Sequence, residues 1–329
     1  MEQTELKEPA PPTAAGPDPT AMTPAASSGP SPAPPPEPTS SPPARTLPTL
    51  PPSQACPTCG ADAAANGHVV AATPTFVYAI GRIEARFPRP DVEKEFAQAV
   101  GRAETADLTD RQATQKVLTQ RQNRYLARQL CWVMTIEGLE TYVLIPRDPT
   151  DLDLLAEALR PEPSPTDLDC IVGLRGPIAP AEMCNGLMVP IVLFDQIYSF
   201  DRDSLIKAIP RPDKTTQKDF YPVAAELFDR IMQMTDNAGG TDAHRALNYC
   251  AVRYHAIYAS AADAFARDAS LTAVDVQPSP LSGTRNIVDV IFSYTNRNTD
   301  VTEKLALSVD VTGEFPYLVR RLSPYYDRS

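Results

Sequence analysis

Proline divides this chain into two materials. Of its 36 prolines, 17 fall in residues 1–55, a stretch that contains no Ile, Val, Phe, Tyr or Trp. Such a segment cannot bury enough apolar surface to offset the entropy lost on ordering, so residues 1–55 are expected to form a disordered, Pro/Ala-rich tail. Residues 56–329 carry the other 19 prolines and nearly all of the branched and aromatic side chains. That length suits one large domain, with subdivision open near residues 215 and 270.

Charge narrows the partners. The formal net charge is −11, of which residues 1–55 contribute −3 and the body −8. An acidic body argues against nucleic-acid and anionic-membrane binding, because neutralising phosphates needs clustered Lys and Arg. No apolar run approaches the roughly 20 residues of a spanning helix. The start, Met-Glu-Gln-Thr-Glu, has no secretory pattern, so a cytoplasmic location is the expectation. In that reducing setting the six cysteines read as thiols or metal ligands rather than disulfides.

The body mixes strand and helix periods. Phe76–Phe87 reads as a strand, stopped by Pro88 and Pro90, and Asp91–Val100 as a helix ended by Gly101. A long helix is predicted from Asp110 to Leu130, with Arg121, Arg124 and Arg128 on one face. That face either binds an acidic peptide or pairs with local acids, and the second reading is favoured. Cys131–Ile136 and Leu139–Ile145 flank Glu137-Gly138, a hairpin signal. Asp151–Arg160 is a short helix, Asp169–Leu174 a strand, and Leu187–Phe200 an apolar run with Pro190 at an edge or bulge. Helical spacing then spans about Thr216 to Ala266, with one face marked by Leu247, Cys250, Ala251, Tyr254, Tyr258 and Ala261. Strands follow at Thr272–Val276, Ile287–Thr295, Leu305–Val311 and Tyr317–Leu322. The fold class is therefore α+β, with mixed or antiparallel sheets and several helices.

Cys56-Pro57-Thr58-Cys59-Gly60 is the sharpest local motif. The C-x-x-C spacing lets two thiolates converge on one ion, and no strand-then-helix context favours a redox pair. A structural zinc needs four ligands, and Cys184 and Cys250 are the expected completing pair, ahead of His68, His255 and His244. Cys131 and Cys170 read as small core residues. A closed four-cysteine site would fold the protein rather than catalyse.

No Ser/His/Asp or Cys/His nucleophile arrangement is legible. The acids Asp195, Asp201, Asp203 and Glu182 are numerous enough for pairs to arise by chance. The Gly/Pro-rich loop 173–186 carries Arg175, Glu182 and Asn185 between two apolar strands, where Arg175 could grip a carboxylate or main chain. The competing reading, a loop shaped to deliver Cys184 to zinc, is slightly favoured.

Several long segments carry a resemblance: Phe76–Phe87, Cys131–Tyr142, Leu174–Pro180 with Cys184-Asn185-Gly186, and Phe194–Phe200. Through them the chain resembles the domain of unknown function at the C-termini of PatG-type cyanobactin maturation proteases and their PatA-type partners. The likeness spans most of residues 54–327. It implies a stand-alone copy of an accessory domain in the biosynthesis of ribosomally made, post-translationally modified peptides. The subtilisin-like portion has no counterpart here, so protease and macrocyclase activities do not carry over. Two functions remain: a non-catalytic module that binds a precursor peptide or modifying enzymes, or a peptide-modifying enzyme using loop 173–186. An exposed sheet would also permit a homodimer.

Overall fold

The computed structural model describes residues 74–102, 107–212, 215–234 and 236–326. The Pro-rich tail, Cys56, Cys59 and His68 lie outside the described residues. The chain divides into two units, Met1–His68 and Val69–Ser329, and the second contains everything described below.

Among the described residues there are nine strands and eight α-helices. Five strands close a barrel in the order β1-β2-β3-β5-β4: β1 (Phe76–Arg86), β2 (Cys131–Ile136), β3 (Leu139–Pro146), β4 (Asp167–Ile178) and β5 (Pro190–Asp201). All pair antiparallel except β3 with β5, which run parallel. The β2–β3 hairpin turns on Glu137 and Gly138 at φ 48° and 82°, the left-handed pair that a two-residue turn of this twist requires. Pro190 opens β5, a place where its missing N–H breaks no ladder.

Period-two alternation sends β1 to two cores. Val77, Ala79 and Ile83 join Trp132, Met134, Leu144, Ile171 and Phe194 in one cluster, which also takes apolar residues from four helices. These are α1 (Pro90–Arg102), α2 (Asp110–Leu118), α3 (Arg124–Gln129) and α4 (Leu152–Ala158). Tyr78 and Ile80 point the other way, into a second cluster. There they meet α5 (Arg202–Ala208), α6 (Gln217–Met232), α7 (Asp242–Arg253) and α8 (Ala256–Phe265). The far side of this helical layer carries an open antiparallel sheet, order β6-β7-β8-β9. Its strands are β6 (Ala269–Pro278), β7 (Ile287–Asn296), β8 (Thr302–Asp310) and β9 (Tyr317–Pro324). Position 215 falls between α5 and α6, and position 270 lies at the start of β6. The fold is α+β, as the mixed periods predict.

Two helices are shorter than their periodicity suggests. The helix predicted to reach Leu130 ends at Leu118, followed by a 3₁₀ turn at Arg121–Asn123 before α3 begins. Buried Asn123 causes the break: its side-chain amide donates to the Val117 carbonyl at 3.0 Å, giving the helix end its missing partner. Arg121, Arg124 and Arg128 therefore share no continuous helix, and Arg124 is paired with Asp153. The face running from Leu247 to Ala261 is likewise interrupted at Tyr254. Tyr258 covers the α7 end by donating its hydroxyl to the Ala251 carbonyl at 2.7 Å.

The cysteines depart most from expectation. Cys131 and Cys184 form a disulfide, with Cα atoms 5.5 Å apart. It pins the loop after β4 over Val133, Val143 and Ile191 on the outside of the barrel. Cys131 is thus not a plain core thiol, and Cys184 has no thiolate to offer a metal. The link spans 53 residues, a separation at which it should stabilise by about 4 kcal/mol through the unfolded state. Cys184→Ser, or reduction of the wild type, should therefore lower Tm by about 8–16 °C in calorimetry. Equal Tm with and without reductant would show that the link contributes nothing.

Candidate functional site

The four-cysteine zinc site is not assembled by the described residues. Cys184 is consumed in the disulfide. Cys250 is fully buried in the helical core, where burial pushes its thiol well above the ordinary range, so it stays protonated. The two belong to different apolar clusters. Among the described residues no group of three His, Cys, Asp or Glu could hold a metal. Cys56 and Cys59 lie outside the described residues, and a zinc on that pair would need ligands other than Cys184 and Cys250. His255 is exposed at the start of α8, and the backbone N–H of His244 is capped by Thr241.

The proposed binding loop is also dispersed. Arg175 lies on β4, exposed, near Tyr142 and Gly240. Glu182 is exposed in the following turn, and Asn185 sits at φ 48° in the left-handed turn that ends it. Of the three, Asn185 lines a shallow pocket with Arg86, Glu140 and Leu187; Arg175 and Glu182 do not.

The barrel meets its surroundings at three more informative places. The first is a cleft of about 590 Å³ between β1, the β2–β3 turn and the C-terminal part of α6. Ile80, Leu168, Phe228 and Met232 line its apolar part, while Arg82, Glu84, Glu137, Arg202, Asp229 and Gln233 supply both signs of charge. Its arginines are held in place. Arg82 donates to the Pro165 and Asp167 carbonyls, and Arg202 to Asp203 and to Asp229 at 2.8 Å. The second is an apolar groove of about 620 Å³ along α3, β2 and β3, with Met183 at its rim.

The third is a carboxyl pair. In the β4–β5 ladder Val172 faces Gln196 and Gly173 faces Phe194, so Asp195 is the extra residue of a β-bulge. Its carboxylate accepts from Arg147 at 2.7 Å, and the same nitrogen reaches Glu314, from the β8–β9 loop, at 3.3 Å. Burial lifts the Glu314 carboxyl from 4.5 to about 7, helped by the adjoining Asp195 and opposed by Arg147. Burial raises Asp195 as well, but its bonds to Glu314 and Arg147 outweigh that and hold it below the ordinary range. Asp195 keeps the charge and Glu314 keeps the proton.

The sign of the pH dependence follows. A folded-state pKa above the unfolded value means the native state binds the extra proton. That stabilisation is complete below 4.5 and is lost as pH rises through about 7. Tm should therefore fall between pH of about 5 and about 8, and Glu314→Gln should flatten the fall. Identical pH profiles for the two proteins would contradict the shared proton. Sequence reasoning named Asp195 only among many acids and missed Glu314 and Arg147. Three distant segments meet here, and no local pattern marks them.

The fold defines a class first: a closed five-stranded barrel and an open four-stranded sheet with a helical layer between them. The comparisons then specify the type. Residues 214–325 match the family model described as PatG C-terminal. A solved structure described as "PatG Domain of Unknown Function" shares the fold at a TM-score of 0.62 and 20% sequence identity, over 76% of this chain and 98% of that one. No curated protein matches. Residues 214–325 thus match a PatG C-terminal-type domain, and the fold is that of the solved PatG domain. No helix among the described residues is long and apolar enough to cross a membrane.

Proposed function

We propose that this chain is a non-catalytic accessory module of a PatG-type, cyanobactin-like peptide-modification system, and that it binds a precursor peptide in the cleft beside β1 and α6. The observation that carries the reading is the cleft itself: apolar Ile80, Leu168, Phe228 and Met232 within a rim of pre-positioned Arg82, Arg202, Glu84, Glu137 and Asp229. An extended peptide presents apolar side chains with main-chain donors and acceptors, and such a lining complements both. Fixed arginines lower the entropy lost on binding. The PatG C-terminal match supports a PatG-type setting, for which the partner proposed is a precursor peptide or a modifying enzyme.

Calorimetric titration of the whole chain with a leader-bearing precursor peptide from a PatG-type system tests this. Gln233 is exposed on the cleft rim at the end of α6. Gln233→Trp should fill the cleft, weaken binding by about tenfold or more and leave Tm unchanged. Unchanged affinity in that variant, or no heat with the wild type, would refute the reading.

The carboxyl pair favours a second reading, a peptide-modifying enzyme. A carboxyl held at about 7 beside an ionised partner is a fit general acid. The mass of a co-expressed precursor decides: a change that disappears in Glu314→Gln supports the enzyme, and an unaltered mass opposes it.

A further inference from the structure

A small pocket of about 170 Å³ lies where five parts of the fold converge. Tyr78 comes from β1, Cys170 from β4, Gln196 and Tyr198 from β5, Tyr249 and Arg253 from α7, and Phe315 from the β8–β9 loop. The two buried polar residues are Tyr78, 4% exposed, and Cys170, 2% exposed. Their hydroxyl and thiol interact with each other, and Arg253 lies within reach of the same hydroxyl. Burial keeps both groups protonated: it holds the Tyr78 phenol above its ordinary range and pushes the Cys170 thiol up to about 12. Cys170 is therefore no nucleophile at neutral pH, and Tyr78 has a proton to donate.

Arg253 is the informative residue. Its guanidinium stacks on the Tyr198 ring, 5.3 Å from the centroid, and among the described residues it forms no salt bridge with a carboxylate. No acid lines the pocket. Asp195 and Glu314, although next in sequence to Gln196 and Phe315, both pair with Arg147. The pocket thus offers three donors, from Arg253, Gln196 and Tyr78, between the rings of Tyr198, Tyr249 and Phe315.

We infer that this pocket binds a free carboxylate carried on an apolar or aromatic residue, with Arg253 as the anchoring cation. A guanidinium is matched to a carboxylate in shape as well as in charge. The volume admits about one residue, and the aromatic walls suit an organic acid better than a bare inorganic anion. A peptide C-terminus and a free small acid share this chemistry. The pocket is separate from the cleft beside α6, so the inference does not depend on peptide binding there.

The test titrates the full chain with N-acetylphenylalanine and with its primary amide, followed by NMR shifts or heat. The acid should bind about tenfold or more tightly than the amide. Arg253→Gln, an exposed substitution, should weaken the acid by a similar factor at unchanged Tm, and Arg253→Lys should restore part of it. Gln196→Glu, also exposed, should weaken the acid and spare the amide, which keeps the test open should Arg253→Gln unfold. Adding a leader-bearing precursor peptide with a free or an amidated C-terminus separates the two sources of carboxylate. Stronger binding of the free form assigns the peptide end, and equal binding assigns the small acid. The inference is overturned by equal affinity for acid and amide, by unchanged binding in both variants, by displacement with inorganic phosphate, or by no binding of the acid at about 10 mM.

Discussion

Arg245→Ala should lower the unfolding free energy by about 5 kcal/mol, the largest loss expected from any single substitution discussed. The side chain is 3% exposed. Its guanidinium donates to the carbonyls of Val311 at 2.7 Å, of Gly313, and of Glu314 at 3.3 Å, and it approaches Asp242 at 3.4 Å. It also lies 5.4 Å from the centre of the Phe76 ring. One residue of α7 thereby ties the β8–β9 loop to the helical layer and to β1. Burial lowers the Arg245 pKa, with Asp242 and Glu314 opposing, yet arginine stays charged across the accessible range. Alanine would strand the loop carbonyls and leave a cavity. In a domain of this size Tm should fall by about 10–20 °C. Arg245→Lys should recover little, since an ammonium cannot reproduce the fork. A shift of only a degree or two for Arg245→Ala would show that the loop stands without its clamp.

Gly239→Ala is expected to be nearly as damaging. Gly239 sits at φ 72°, and an added Cβ would lie 2.6 Å from the Ala79 Cα and closer still to the Tyr78 carbonyl oxygen. The backbone must approach there because Tyr78 donates its N–H to the Gly239 carbonyl at 2.9 Å. Beneath it the Tyr78 carbonyl accepts from the fully buried Asn248, whose side chain exchanges bonds with Asn237. Left-handed strain, overpacking and the lost bond together amount to about 4 kcal/mol. Tm should drop by about 8–16 °C. A wild-type Tm for this variant would mean that the strand and loop separate freely.

Legibility tracked the range of each interaction. The β2–β3 hairpin is readable because its signal is local: two β-rich runs around Glu137-Gly138. β1, β7 and β8 follow from runs of branched and aromatic residues. Periodicity overstates helix length at Asn123, whose side chain turns back on the preceding helix end, and at Tyr254, which is tied to a tertiary neighbour. Tyr254 accepts the Leu322 N–H of β9 at 3.1 Å, a contact that no window around residue 254 contains. Cys184 reads as a metal ligand for the same reason: its disulfide partner, Cys131, opens β2, 53 residues away in sequence. Arg147, Asp195 and Glu314 come together only through the bulge at Asp195 and the return of the β8–β9 loop. The segments that carry the resemblance lie within residues 76–200, whereas the PatG C-terminal family model matches residues 214–325.

Occupation of the cleft beside β1 and α6 by a precursor peptide, as proposed, can be read out by crosslinking. A photo-reactive residue placed at Gln233, on the cleft rim, tests it most directly, with the same residue at Val301, 65% exposed beyond β7, as the control. A leader-bearing precursor peptide should crosslink from position 233 and not from 301. Equal crosslinking from both positions, or none from 233 at saturating peptide, would contradict it.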